Sequence, residues 1–285
     1  MQTLKYVCAS TGDEIVMSGP DIFAQTAEGI RGRSWSYDLG YRSLSGVTRT
    51  ARETDLELTY LRCPEKADWT RRLFDADVAA GTPGMFDADG WTTRAYVVKA
   101  EPQTITPVII QQKLTVVMLD GIWRKAGEVQ RFWSDSLQPG LDLDYPHDYE
   151  HDYKPTTRNA TAHNPQPTAM PFQMTIFGPA TAPAITIGGN RYKLTTDIPS
   201  GAFATIVGIA GRKSVTLTAE NGDVTDIFAK AERGDGLDGG NYIFQPIPPG
   251  DSPVEWQGFG FDLTVFEEES EPPWRSEERR VGKEC

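Results

Sequence analysis

Cysteine is nearly absent from this chain: three in 285 residues, at positions 8, 63 and 285. So sparse a set excludes a disulfide framework, and the spacing excludes a cysteine-built metal site. Cys8 and Cys63 read as small buried apolar residues rather than reactive thiols. Also missing is any run of 18 apolar residues, so no helical membrane span is expected. The opening Met1-Gln2-Thr3-Leu4-Lys5 lacks the basic-then-apolar profile of a signal peptide, and no conventional secretory route is expected. Positive charge is in deficit, with 28 Lys and Arg against 40 Asp and Glu and a formal net charge of −12. That balance argues against binding nucleic acid through its phosphates. It favours solubility and repulsion between free copies, so any assembly must rest on specific contacts.

Catalytic signatures are absent as well. There is no Gly-x-Ser-x-Gly, no His-Glu-x-x-His and no glycine-rich phosphate loop. A glycosidase needs two carboxylates across a cleft, but 40 acidic residues supply any spacing by chance. The reading is therefore not an enzyme, with no catalytic residue, no cofactor and no metal site.

What is present suits packed cores with many turns. The apolar fraction is 39% with 10% aromatics, and 27 Gly and 20 Pro favour short elements over long helices. The length fits two domains. The last eleven residues, Arg275 to Cys285, match the translation of a common sequencing-library adapter codon for codon, and are set aside as an artefact. They hold four basic and three acidic residues, so the remainder carries −13. On this reading the native C-terminus lies close to Trp274, with at most a few residues missing.

In the N-terminal part, Arg52 to Arg62 alternates Leu56, Leu58 and Tyr60 with Asp55, Glu57 and Thr59, the period of a half-buried strand. Pro64 ends it and suits a first helical turn followed by Glu65 and Asp68. The spacing predicts a helix over 65–80, with Trp69, Leu73, Phe74 and Ala76 or Asp77 on its apolar face. Gly81 is the expected cap and Pro83 prevents continuation. Strands are predicted over Trp91 to Lys99 and Gln111 to Leu119, with Ile122-Trp123 and Phe132-Trp133 as large anchors. One helix among antiparallel strands makes an α+β domain or a decorated β-sandwich.

Residues 141–153 contain the repeat Asp-Tyr-Pro-His, Asp-Tyr-Glu-His, Asp-Tyr. As a helix it would stack His147 and His151 at metal-ligand spacing. Pro146 and the tyrosines favour a strand instead, with Tyr145, His147, Tyr149, His151 and Tyr153 on one face. Residues 154–170 are poor in large apolar side chains and read as a linker. Asn159-Ala160-Thr161 fits a glycosylation acceptor, which means little without a secretory route.

From Phe172 onward about eight short strands alternate with tight turns. Phe172 to Ile176, Ala184 to Ile187, Ser214 to Leu217 and Phe259 to Phe266 all alternate. Gly188-Gly189-Asn190 and Asn221-Gly222 are hairpin signals. The pattern is that of a second β-sandwich. Trp256 stands in a strand near its end. It serves either as packing or as a contact for a glycan or a protein partner.

The ordered set Ile176-Phe-Gly-Pro-Ala180, Pro183 to Tyr192, Phe244 to Gly250, Gly258 to Phe266 and Glu271-Pro-Pro-Trp274 resembles the siphophage distal tail proteins. So do the Asp-Tyr-Pro repeat and the aromatic stretch from Ile122 to Trp133. His147 and His151 depart from the residues that family would place there. The resemblance implies a mainly β fold: a ring-forming N-terminal tail domain over 1–153 and a galectin-like β-sandwich over 171–274. It implies a homo-hexameric ring at the virion tail tip, assembled in the bacterial host cytoplasm. The ring would join the major tail tube protein to the baseplate and to a tail fibre or tail-associated lysin protein. It brings no catalytic residues. The alternative function is a carbohydrate-binding module that contacts host cell-wall glycans through Trp256.

Overall fold

A computed structural model of the chain describes residues 3–26, 28–133 and 160–272. The Asp-Tyr repeat with His147 and His151, the acceptor Asn159 and the residues after Pro272 lie outside the described residues. The protein is mainly β, and it divides into two units. Unit 1 comprises residues 1–125 and 268–285; unit 2 comprises 126–267.

Unit 1 opens with β1 (Leu4–Val7), β2 (Glu14–Val16) and β3 (Ile22–Thr26), then a single-turn helix α1 (Glu28–Arg31). A hairpin of β4 (Ser36–Leu39) and β5 (Leu44–Thr48) follows, then β6 (Arg52–Leu61) and α2 (Pro64–Ala80). After these come β7 (Gly84–Ala88), β8 (Trp91–Ile105), β9 (Ile109–Met118) and the first residues of β10 (Trp123–Phe132). All pairings are antiparallel, in the order β2-β1-β7-β8-β9-β6-β3. The long β8 serves three neighbours, meeting β10 at Thr92↔Arg124. Its first residues pair with β7, and from Ala95 onward it pairs with β9, with register shifts at 97/99 and 102/104.

The expected alternation of β6 holds for Leu56, Leu58 and Tyr60, which are buried, and for Asp55 and Glu57, which face solvent, but Thr59, expected on the solvent face, is buried as well. Helix α2 starts at Pro64, where a proline costs no hydrogen bond, and ends at Gly81 in the left-handed conformation (φ 66°). Its buried face is Ala67, Thr70, Leu73, Phe74 and Asp77. Trp69, expected on that face, is 38% exposed instead. The helix presents the stripe through positions 70, 73, 74 and 77, which places residue 69 at its edge. At the centre of the core, Tyr6 meets Phe74 and Phe86 edge-on, each at 5.1 Å between ring centroids.

Unit 2 is a two-layer sandwich. It takes in the remainder of β10, then β11 (Ala160–Asn164), β12 (Phe172–Phe177), β13 (Ala184–Ile187) and β14 (Asn190–Lys193). Next are β15 (Phe203–Val207), β16 (Ser214–Thr218) and β17 (Val224–Asp226), a 3₁₀ turn (Phe228–Lys230), β18 (Gly250–Trp256) and β19 (Phe261–Glu269). One layer runs β17-β16-β15-β12-β19 with β10 beside β19; the other runs β11-β18-β13-β14. From Phe172 onward the described residues thus form eight strands, β12 to β19. Met174 and Ile176 from one layer and Ile185, Ile187 and Val254 from the other are fully or nearly fully buried in one core. The Gly188-Gly189 signal is a two-residue hairpin loop, with Ile187 paired to Asn190 and both glycines at positive φ (56° and 86°).

Two expected boundaries differ from the observed ones. The unit division falls at 125/126 and 267/268 rather than within 153–171. Strands β10 and β19 are each long enough to begin in one unit and finish in the other, which a linear reading of composition does not show. Within the expected linker, residues 160–164 form β11, paired with β18 from Ala160↔Val254 to Asn164↔Gly250. Small residues suffice at that sheet edge because backbone bonds carry it. Buried Asn164 also fastens it, donating its amide to the carbonyls of Thr168 and Ile247 at 2.9 Å each.

Candidate functional site

The densest polar cluster of unit 1 surrounds Asp77. Alternation along β1 points Tyr6 inward, and the turn after β1 brings Cys8, Ala9 and Ser10 over the last turns of α2. The Asp77 carboxylate, fully buried, accepts from the Tyr6 hydroxyl at 2.7 Å and the Ser10 hydroxyl at 2.8 Å. It also accepts from the backbone N–H groups of Ala9 at 3.2 Å and Ser10 at 2.9 Å, and from the Cys8 thiol at 3.2 Å. Burial alone would raise the Asp77 pKa. The hydrogen bonds from Tyr6, Ser10 and Cys8 outweigh it and hold the carboxyl below its ordinary value. Burial and that carboxylate together push the Tyr6 phenol far above its ordinary range. A saturated carboxylate without solvent access cannot pass a proton to a substrate. It ties strand to helix.

A second cluster closes the unit. Arg94 grips Asp120 through Nε at 3.0 Å, and its Nη2 reaches the other carboxylate oxygen at 2.5 Å. Arg124, 5% exposed, donates to Asp120 at 3.0 Å and to Glu268 at 2.6 Å. The second bond fastens the returning end of the chain to unit 1. Each arginine has its carboxylate, so the arrangement is an ion-pair network rather than an anion site. Cys8 and Cys63 are both buried and free; the Cys63 thiol donates to the Asp21 carbonyl at 3.4 Å, and burial pushes its pKa up. Among the described residues no three His, Cys, Asp or Glu side chains group as metal ligands. Among the described residues no helix is long and apolar enough to cross a membrane.

In unit 2 an open depression of about 450 Å³ is lined by Thr181 to Ala184, Glu255, Trp256, Gln257 and Phe259. Trp256 is half-buried. Its ring meets Phe132 and Phe261 edge-on at 5.6 and 5.4 Å, and its indole N–H donates to the Phe259 carbonyl at 2.9 Å. The side chain therefore packs on the core and also forms part of the depression wall, with Glu255 and Gln257 as polar neighbours.

Sequence reasoning passed over an element rich in exposed large apolar side chains. Among the described residues the hairpin β4–β5 pairs only with itself, and every residue from 33 to 48 is exposed. The signal was available: Trp35, Tyr37, Leu39 and Tyr41 alternate with Ser36, Asp38 and Gly40. That is the pattern of a strand with one apolar face.

No protein-family model and no curated protein matches the chain. Solved structures do. A chain of the phage P2 baseplate in its activated conformation with Ca aligns at a TM-score of 0.63 and 7% identity, covering 95% of this chain and 100% of that one. The same baseplate with Sr gives 0.64 and 8%, with the same coverage. The Dit (gp 19.1) protein of phage SPP1, described as a paradigm of hub adsorption apparatus in phages infecting Gram-positive bacteria, gives 0.53 and 12%. There the match covers 94% of this chain and 99% of that one. At these identities the shared property is the fold, over both units.

Proposed function

We propose that the protein is a structural subunit of a long, non-contractile phage tail, without catalytic activity. It forms a ring hub at the tail tip that joins the tail tube to the baseplate and to receptor-binding or tail-lysin proteins. The observation that supports this most strongly is the full-length fold match to baseplate and hub chains, both units included. A single sandwich recurs among unrelated functions, but a two-unit arrangement matched from end to end is far less common. In this reading six copies close a ring, assembled in the host cytoplasm, with the major tail tube protein on one side and a tail fibre or lysin protein on the other. Ring closure needs two complementary surfaces on each subunit. The net negative charge keeps free copies apart until those surfaces meet. Light scattering and negative-stain imaging of the purified protein, alone and with the tail tube protein, test this. The expected result is a six-fold ring that binds the tube; a monomer that binds neither tail tube nor fibre protein overturns it.

A second reading concerns the depression at Trp256. Its aromatic wall beside Glu255, Gln257 and Thr181 has the composition of a sugar-contact surface, so host cell-wall glycans are the candidate ligands. Calorimetric titration with host cell-wall polysaccharide checks it: binding that Trp256→Ala abolishes supports glycan contact, and no heat with either protein rejects it.

A further inference from the structure

Among the described residues the β4–β5 hairpin pairs with no other strand and its side chains stay exposed. Tyr37, Leu39, Tyr41 and Leu44 are 52%, 76%, 93% and 55% exposed. A two-stranded hairpin in water is marginal by itself. What holds this one is slight: three register pairs, a hydroxyl contact between Ser36 and Thr50 at 3.1 Å, and the Arg49 guanidinium over Trp35 at 4.4 Å. Its charge is also unlike the rest of the molecule. Residues 33–49 carry Arg33, Arg42 and Arg49 against one carboxylate, Asp38, in a chain of net charge −12. A basic, aromatic projection on an acidic body is complementary to the body of an identical molecule.

From this we infer that the hairpin is an assembly arm that docks on the acidic surface of a second copy of the chain. The inference rests on the ring reading above and assigns the contact that closes it. The arm and its receiving surface are different parts of the subunit, so the contact is heterologous, the kind that propagates around a ring. Tyr37, Leu39 and Tyr41 supply the desolvated anchors, and Arg33 and Arg42 the steering charge. Because the chain as a whole is net acidic, the arm resolves the conflict between mutual repulsion and assembly. It is a basic aromatic element that identical copies can present to each other.

Three forms of the full chain decide the matter by mass photometry and sedimentation: wild type, the triple variant Tyr37→Ser/Leu39→Ser/Tyr41→Ser, and the double variant Arg33→Glu/Arg42→Glu. Both variants change only exposed side chains, so their thermal melts are expected to match wild type. The expected result is oligomeric wild type, association weakened at least ten-fold in each variant, and wild-type association that weakens as salt rises. A photo-crosslinking residue at position 41 is expected to capture a peptide of this same chain. If the variants assemble as wild type does, or if position 41 captures only a different protein, the arm inference is overturned while the ring reading stands. If wild type itself never assembles, the ring reading fails and the arm inference falls with it.

Discussion

Asp77 shows how one residue can look functional and be structural. A carboxylate bonded to a tyrosine, a serine and a cysteine has the parts of a catalytic site, but the carboxylate, Tyr6 and Cys8 are fully buried and only Ser10 reaches solvent. Removing it orphans several buried donors. Asp77→Ala is expected to lower stability by about 3 kcal/mol, read as a fall in the urea midpoint at unchanged slope. Tyr6→Phe, which removes one of the five bonds, is expected to cost about 1 kcal/mol. The pH dependence has a definite sign. The folded carboxyl titrates below its unfolded value, so its stabilisation is complete above about pH 4 and disappears as pH falls through the lower folded value. The stability gap between wild type and Asp77→Asn is therefore expected to narrow on acidification below about pH 4, and a gap that widens there would contradict the assignment. Legibility at this scale was partial. Periodicity gave Leu73 and Phe74, and offered Asp77 only as an alternative to Ala76. What decides between them is a hydrogen bond to a residue 71 positions earlier, which no local window contains.

At the scale of elements, the strands with one wet face were the most readable. Strand β6 and the sandwich strands β12, β13, β16 and β19 lie where alternation put them, because burying one face imposes that period. Turn chemistry was readable for the same kind of reason: Gly188 and Gly189 both need positive φ. Here the two glycines differ in a testable way. A Cβ on Gly189 meets nothing, whereas one on Gly188 would lie 3.1 Å from Pro248 and 3.2 Å from Ser252. Gly189→Ala is expected to cost about 1 kcal/mol in backbone strain, and Gly188→Ala about 2 kcal/mol, seen as ordered shifts in melting temperature. Strand β11 was hidden for a different reason. Its residues are small and polar, and its stability comes from backbone pairing and Asn164 rather than from side-chain burial. The same blindness applies to the arm, whose alternation was visible but whose apolar face meets no core among the described residues.

The whole molecule is organised by two strands that cross from one unit to the other, β10 outward and β19 back. Composition did not reveal this: Gly127 stands beside the first crossing and the acidic run Glu267 to Glu269 at the second, yet both strands run on through them. The return is held by Arg124, nearly buried between Asp120 and Glu268. Arg124→Ala leaves two partly buried carboxylates without that cation. The expected loss is about 3 kcal/mol in unit 1, measured by hydrogen exchange of β8 and β9. Unit 2 carries its own two-layer core, so a fragment spanning 126–267 is expected to unfold cooperatively on its own. The assembled particle is the scale at which the account stands or falls. Gold-labelled antibody against the purified protein, applied to intact virions and viewed by electron microscopy, tests it most directly. The account predicts label confined to the distal end of the tail; label on the capsid, along the tube, or on no particle would contradict it.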